Sequence, residues 1–456
     1  MKMNQNEGIY DARQLGRPKM FILGVQHMFA MFGATVLVPA LTGLSVSATL
    51  LFAGLGTLLF HLLTKRMVPA FLGSSFAFIG GYAAVAPMLE DGTPNKEMLP
   101  YACFGVMLAG LMYVILSALF KIFGTKTVMR FFPPIVTGPV IICIGLTLSS
   151  TAITNCRDNW AIALIAIAIV VGCNIWGKGM IKIIPILLGV VGSYAVAVIC
   201  QITGMNTMDP AKLQALSDAA WIGLPFQFED TLFGLFSRPD LNTGMLLTSA
   251  VTIMPLALAT MVEHIGDMCA ISSTCERNYL QNPGFHRTLL GDGLATSLAS
   301  IFGAPANTTY GENTGVLALS KVYDPRVIRI AAGLAILFSF SPKFAALVSA
   351  MPTATMGGVS MVLYGMISAV GVRNVVENQV DFTNSRNVII AALIMVLAIG
   401  INYSGAVTFQ VGEATISLSG LAVAAITGIV LNAILPGKDY EFGSDEKGDT
   451  AVNFKV

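Results

Sequence analysis

Residues 100–120, PYACFGVMLAGLMYVILSALF, run for 21 positions without a Lys, Arg, Asp, Glu or His. A helix of about 20 such residues matches the hydrocarbon thickness of a bilayer. The pattern recurs: about fourteen apolar stretches start near residues 19, 46, 68, 100, 133, 159, 181, 246, 289, 304, 326, 353, 387 and 415. So many stretches leave one fold class, an all-α polytopic membrane protein whose helices satisfy their own backbone groups. Composition agrees, at 55% hydrophobic and 11% charged residues, where a soluble chain carries roughly a quarter charged. A net charge of +1 supplies no field that would gather nucleic acid, and none is expected as a partner. The seven cysteines are scattered without a CxxC or Cys/His cluster, so neither a disulfide framework nor a metal site is expected. The polar first 18 residues lack an apolar core with a small-residue cleavage site, so no cleaved signal peptide is expected.

Lysine and arginine set the orientation. With both termini cytoplasmic, 21 of the 26 Lys and Arg fall on one side, and Lys96, Arg157, Lys212, Arg238 and Lys343 on the other. That asymmetry requires an even number of spans. The longest break, 204–245, leaves about seven spans on each side. The expected organisation is a cytoplasmic tail at 1–18, a first seven-segment repeat at 19–203, an extracytoplasmic loop at 204–245, a second repeat at 246–436 and a cytoplasmic tail at 437–456.

Three features recur in the same order in the two halves. VQHMFAMFG (25–33), VPAFLGSSFAFIGG (68–81) and RFFPPIVTGPVI (130–141) correspond to MVEHIGDMC (261–269), FGAPANTTYGENTG (302–315) and SAMPTATMGGVSMVLYG (349–365). An odd number of spans per repeat brings the second copy in from the opposite face. Such inverted repeats are the architecture of many secondary transporters.

The middle features are interrupted spans, the third and the tenth. Gly73, Gly80, Gly81, Gly311 and Gly315 permit non-helical backbone. Ser74, Ser75, Thr308 and Thr309 offer competing local hydrogen bonds. Phe76, Phe78 and Tyr310 favour strands. Each span should therefore hold a short extended segment followed by a half-helix, whose positive N-terminal end and free backbone groups can face a small polar ligand. Ionisable groups within spans are few, and such groups mark pathways. Glu263 and Asp267 share one helical face, Glu312 lies in the tenth segment, and His27 lies in the first. His264 should point away from the Glu263/Asp267 face. Asp292, opening the ninth span, can serve as a helix cap, and His61 and His286 read as structural. Carboxylates in a membrane can accept hydrogen bonds from ring N–H groups and can carry protons, because burial raises their pKa.

QHMFAMFGATVLVPALTG, VPAFLGSSFAF, EHIGD, NTTYGENTGV and MGGVSMVLYG closely resemble the nucleobase–ascorbate transporter family, also called nucleobase/cation symporter-2, and within it the bacterial uracil permeases. The resemblance covers about residues 15–435. It implies fourteen segments in two inverted repeats, a core and a gate domain, and a substrate held between short strands of segments 3 and 10. It implies import of a nucleobase, foremost uracil, by proton symport with an elevator-like alternating access. It also implies a bacterial inner membrane location, no cofactor beyond the proton gradient, and a homodimer joined through the gate domain. Carried over, Glu263 and Glu312 match the carboxylates that bind the pyrimidine. Phe76 and Gly311 match positions offering backbone N–H groups, Tyr310 a pocket wall, His27 a first-segment histidine and Tyr364 a gate-side tyrosine, with Ser75 beside them. Asp267 departs from the pattern, since uracil permeases often carry histidine there and the purine branch aspartate. Asp267, with Glu263, is therefore expected to serve proton coupling.

Three alternatives stand beside this reading. One is a purine (xanthine or uric acid) proton symporter. Another is an anion channel or exchanger on the same fold, which the carboxylates disfavour. The third is a membrane-embedded enzyme, for which no nucleophile–base pair or metal cluster appears, so no enzymatic activity is expected. Carboxylates can also ligate Na⁺, which leaves sodium open as the coupling ion.

Overall fold

The computed structural model describes residues 8–89, 93–411 and 414–437, without the side chains of Met180, Ile183, Glu312, Phe409, Val411 and 414–417. In the first half, α1 (Arg17–Thr42) and α2 (Val46–Leu63) precede β1 (Leu72–Ser74) and the half-helix α3 (Ile79–Val85). Then follow α4 (Leu99–Phe123), α5 (Pro134–Cys156), α6 (Trp160–Trp176) and α7 (Pro185–Ile202). In the second half, α8 (Thr243–Ile253) and α9 (Leu256–Thr274) together make one span. Next come α10 (Phe285–Ile301), β2 (Asn307–Thr309), α11 (Gly311–Ser320) and α12 (Pro325–Ser339), the last bent by 89° into α13 (Pro342–Ser349). The chain ends on α14 (Thr353–Glu377), α15 (Ser385–Ser404), a hairpin of β3 (Val407–Val411) and β4 (Ala414–Leu418), and α16 (Gly420–Ile434).

Among the described residues, eight helices are long and apolar enough to cross a membrane, and nine if the bent pair counts as one span. The interrupted third and tenth segments, the short α6 and α16 and the more polar α10 complete the expected fourteen. Many large apolar side chains lie exposed on these helices, such as Ile115, Ile175, Ile199 and Val396. Lipid solvates such a surface; water does not.

The packing shows the inverted repeat directly. Elements α1, α2, α3, α4, α5, α6 and α7 correspond to α8–α9, α10, α11, α12, α14, α15 and α16. Each principal contact has its counterpart under that exchange: α2 packs on α12 as α10 does on α4, α1 on α12 as α8 on α4, and α6 on α14 as α15 on α5. Helices α1–α4 and α8–α12 form a core bundle, and α5–α7 with α14–α16 a gate bundle. In the gate, α5 and α14 approach to backbone contact. A Cβ on Gly371 would stand 2.5 Å from Ile142 N and 2.7 Å from Gly138 O. Small residues at such crossings let helices pack without a hydrophobic driving force.

Three expectations are corrected. Phe76 and Phe78 do not extend β1; they form a 3-10 turn that leads into α3, because β1 has only three residues to pair with. The final span starts at Gly420 rather than near 415, since the β-branched VTFQV and ATISL pair with each other first. Asp292 is no cap: α10 starts at Phe285 with Gly284 in the cap position, and Asp292 is fully buried in the helix.

Candidate functional site

Strands β1 and β2 cross antiparallel in the interior, with Leu72 opposite Thr309, Gly73 opposite Thr308 and Ser74 opposite Asn307. Two further bonds lengthen the ladder: Ser75 N donates to Ala306 O (2.9 Å) and Tyr310 N to Phe71 O (3.0 Å). The edges are satisfied by neighbouring helices, as buried backbone requires. On α2, Thr57 Oγ1 accepts from Leu72 N (2.9 Å), and Phe52 O accepts from Asn307 Nδ2 (2.7 Å). On α10, Thr296 Oγ1 donates to Asn307 O (2.5 Å).

Glycine is required at position 73, because a Cβ there would lie 2.6 Å from the Tyr310 ring and 2.8 Å from Thr35 Oγ1. Tyr310 locks the crossing: its hydroxyl donates to Ser74 O (2.8 Å) and lies 3.2 Å from Ser74 Oγ, which donates to Thr35 O (2.9 Å). Tyr310 is therefore a brace whose hydroxyl is engaged by β1.

The strand ends aim two helix starts at one region. Phe76 opens the turn before α3, and Gly311 opens α11. The first N–H groups of a helix have no intrahelical partner and carry the positive end of its dipole. Helix α9 packs against the Phe76–Phe78 turn, β2 and α11. It carries Glu263 and Asp267, both half-buried. Asp267 accepts from Thr309 Oγ1 (2.9 Å), and its carboxylate lies 3.6 Å from where a Gly311 Cβ would stand. Gly311 itself is exposed. Glu312 is the second residue of α11; its side chain lies outside the described residues.

From α1, His27 is fully buried against α11, where Asn313 Nδ2 lies 3.2 Å from His27 Nδ1 and donates to His27 O (3.3 Å). That partner makes Nδ1 the acceptor and assigns the proton to Nε2, which has no partner among the described residues. Ser75 is buried, its hydroxyl likewise without a partner among the described residues. From the gate, Tyr364 on α14 meets Phe76 edge-on, with ring centroids 5.8 Å apart at 75°. Every candidate thus lies on α1, the two crossing segments, α9 or α14.

Contrary to expectation, His264 does not turn fully away from the Asp267 side: the two lie three residues apart and both reach the Thr309 hydroxyl. His264 has further partners that sequence reasoning missed. Its Nδ1 pairs with Asp292 Oδ2 at 3.0 Å, both side chains fully buried, and its Nε2 lies 3.1 Å from Thr288 Oγ1. Thr308 Oγ1 donates to Asp292 at 3.4 Å, and Thr309 Oγ1 is 3.4 Å from His264 Nδ1. A polar network therefore runs behind β2 and reaches Asp267 through one hydroxyl. The available signal was Asp292 itself, a carboxylate within an apolar run. His61 Nε2 lies 2.9 Å from Ala70 O and holds the entry to β1.

Crossed strands between inverted repeats, with helix starts and carboxylates converging on them, define a membrane transporter with a small-solute site. Solved structures share this fold. The transmembrane domain of the cyanobacterial bicarbonate transporter BicA matches with a TM-score of 0.55 at 15% identity, over 94% of this chain and 100% of that one. SLC26A9 matches with a TM-score of 0.61 at 12% identity, over 93% of this chain and 66% of that one. At such identities the likeness concerns the fold alone.

Residues 18–406 match the Permease family. The uracil permease of Bacillus subtilis is 39% identical over 445 residues, 95% of each chain. That of Bacillus caldolyticus is 40% identical over 425 residues, 91% of this chain and 92% of the relative. The uracil permease of Escherichia coli is 35% identical over 423 residues, 90% of each. The chain belongs to this permease family, the nucleobase–ascorbate transporters, and is an integral membrane transporter.

Proposed function

We propose that the protein imports uracil by proton symport, binding it between β1 and β2. Uracil presents two ring N–H donors and two carbonyl acceptors. The helix starts at Phe76 and Gly311 supply N–H groups for the carbonyls, and Glu263 and Glu312 supply acceptors for the ring N–H groups. His27, Ser75, Tyr310 and Tyr364 line or brace the pocket. The observation that carries the reading is the convergence of α9, with its two carboxylates, on both strand ends. Carboxylates oppose an anion as cargo, so the fold shared with a bicarbonate transporter does not decide the substrate. The relatives' names support uracil over purines.

Asp267 is assigned to coupling rather than to the ring, since its carboxylate is tied to Thr309. In the same proposal the core bundle carries the site past the gate bundle, and both termini are cytoplasmic. The repeats occupy 19–203 and 246–436 about the 204–245 loop, and two copies associate through the gate. Uptake of labelled uracil tests the substrate and the coupling ion together. Unlabelled uracil should compete, xanthine should not, and a protonophore should abolish accumulation. Blockage by xanthine alone would overturn the substrate, and sodium-dependent uptake indifferent to the protonophore would overturn the ion.

A further inference from the structure

At the Lys/Arg-rich end of the core bundle, segment 8–16 folds back onto the turn between α11 and α12. Ile9 N donates to Lys321 O (2.7 Å), Tyr323 N to Ile9 O (2.8 Å), and Ala12 N to Asp324 Oδ2 (2.7 Å). Tyr10 reaches farther, donating to Cys275 O (2.7 Å) while the Arg277 guanidinium covers its ring at 3.9 Å. These contacts border a partly open cleft of about 380 Å³, which no residue of the crossed strands lines. Its charged lining is four arginines, Arg66, Arg277, Arg326 and Arg329, against two aspartates, Asp11 and Asp324.

The aspartates are already committed. Arg326 pairs with both, at 2.8 Å to Asp11 and 3.1 Å to Asp324, and Arg13 forms a second pair with Asp11 at 2.7 Å. The hydrogen bonds from Arg13, with Arg326 behind them, hold the Asp11 carboxyl well below the usual carboxylate range, so it is ionised. Arg66 and Arg329 have no carboxylate partner among the described residues. Arg329 lies close enough to Arg66 to feel its charge, set against the charge of Asp324. Arg66 is also held at a φ of +59°, after Lys65 at +56°, a conformation that costs a non-glycine residue about 1 kcal/mol or more. Two guanidiniums without a carboxylate partner among the described residues thus face one cleft, an arrangement that an anion between them would stabilise. Guanidinium forks match phosphate oxygens in geometry and charge.

We propose that this cleft is a phosphate-binding site, with Arg66 and Arg329 as the principal ligands and Arg277 closing it from the Tyr10 side. Its ligand is a phosphate group, carried either by a free anion or by a lipid headgroup. Occupancy ties segment 8–16, and through it α1, to the loops after α2, α9 and α11. The proposal does not depend on the substrate assigned above.

The test is thermal unfolding of the purified full-length protein in nanodiscs, since a ligand that prefers the folded state raises its apparent stability. In phosphatidylcholine discs, inorganic phosphate or uridine monophosphate should raise the midpoint saturably, where chloride at equal ionic strength does not. A rise seen only when phosphatidylglycerol is in the disc assigns the site to a headgroup. In either arm, an R66Q/R329Q variant should need about tenfold or more ligand for the same rise, as the loss of charged hydrogen bonds implies. The variant should keep the wild-type midpoint without anion and the wild-type response to uracil. Should the double variant not fold, Arg66→Gln alone, at an exposed loop position, carries the comparison. No rise in either arm, an equal rise with chloride, or an undiminished rise in the variants would overturn the proposal.

Discussion

Thr309 joins two halves of the buried chemistry. Its hydroxyl donates to Asp267 and stands 3.4 Å from the His264 ring, which pairs with Asp292. Thr309→Val keeps the volume and removes the hydroxyl. It should lower uracil accumulation about tenfold, the value of one hydrogen bond to a charged group, while Thr309→Ser should retain it; steady-state uptake in cells reads both. Asp267→Asn should impair accumulation more than binding, and a variant that concentrates substrate normally would refute the coupling role. Glu263 and Asp267 were legible from their spacing, because residues four apart share a helix face. Asp292 was misread because the apolar run suggested a start near 289, whereas α10 begins at Phe285 and carries the carboxylate into the interior. No local pattern could join it to His264, since that pairing is tertiary.

At the scale of elements, the crossing tolerates little. Gly73→Ala would drive a methyl into the Tyr310 ring and Thr35. Overpacking of this kind costs about 1–3 kcal/mol. The variant should be made and inserted, yet show a lower midpoint and little uptake. Equal uptake and an unchanged midpoint would show that the strands can separate at no cost. The glycines and the threonines of NTTYGENTG were enough to expect two strands and two half-helices. They did not give the lengths, because strand length follows from the partner: β1 ends where β2 ends. The β3–β4 hairpin was missed because its alternation lies between two apolar spans and was absorbed into the second.

For the whole molecule, the contact pattern repeats under exchange of the two halves, which is why three weak sequence correspondences sufficed to expect the inverted repeat. The gate depends on the α5–α14 crossing. Gly371→Val would force backbone apart at Ile142 and Gly138 and should sharply reduce the yield of folded protein, as measured by size-exclusion profile. A normal yield would place little weight on that crossing. The division into core and gate was not legible from hydropathy, which sees each helix and not its neighbours. Nor does the fold identify the cargo, since transporters of different solutes share it; the proposed cargo rests on the residues at the crossing. Equilibrium binding of uracil to purified wild-type protein and to Glu263→Gln tests that claim most directly. The account predicts saturable binding to the wild type, weakened about tenfold to a hundredfold in the variant by loss of a charged acceptor facing a ring N–H, with folding intact. Undiminished binding to a folded Glu263→Gln protein would contradict it.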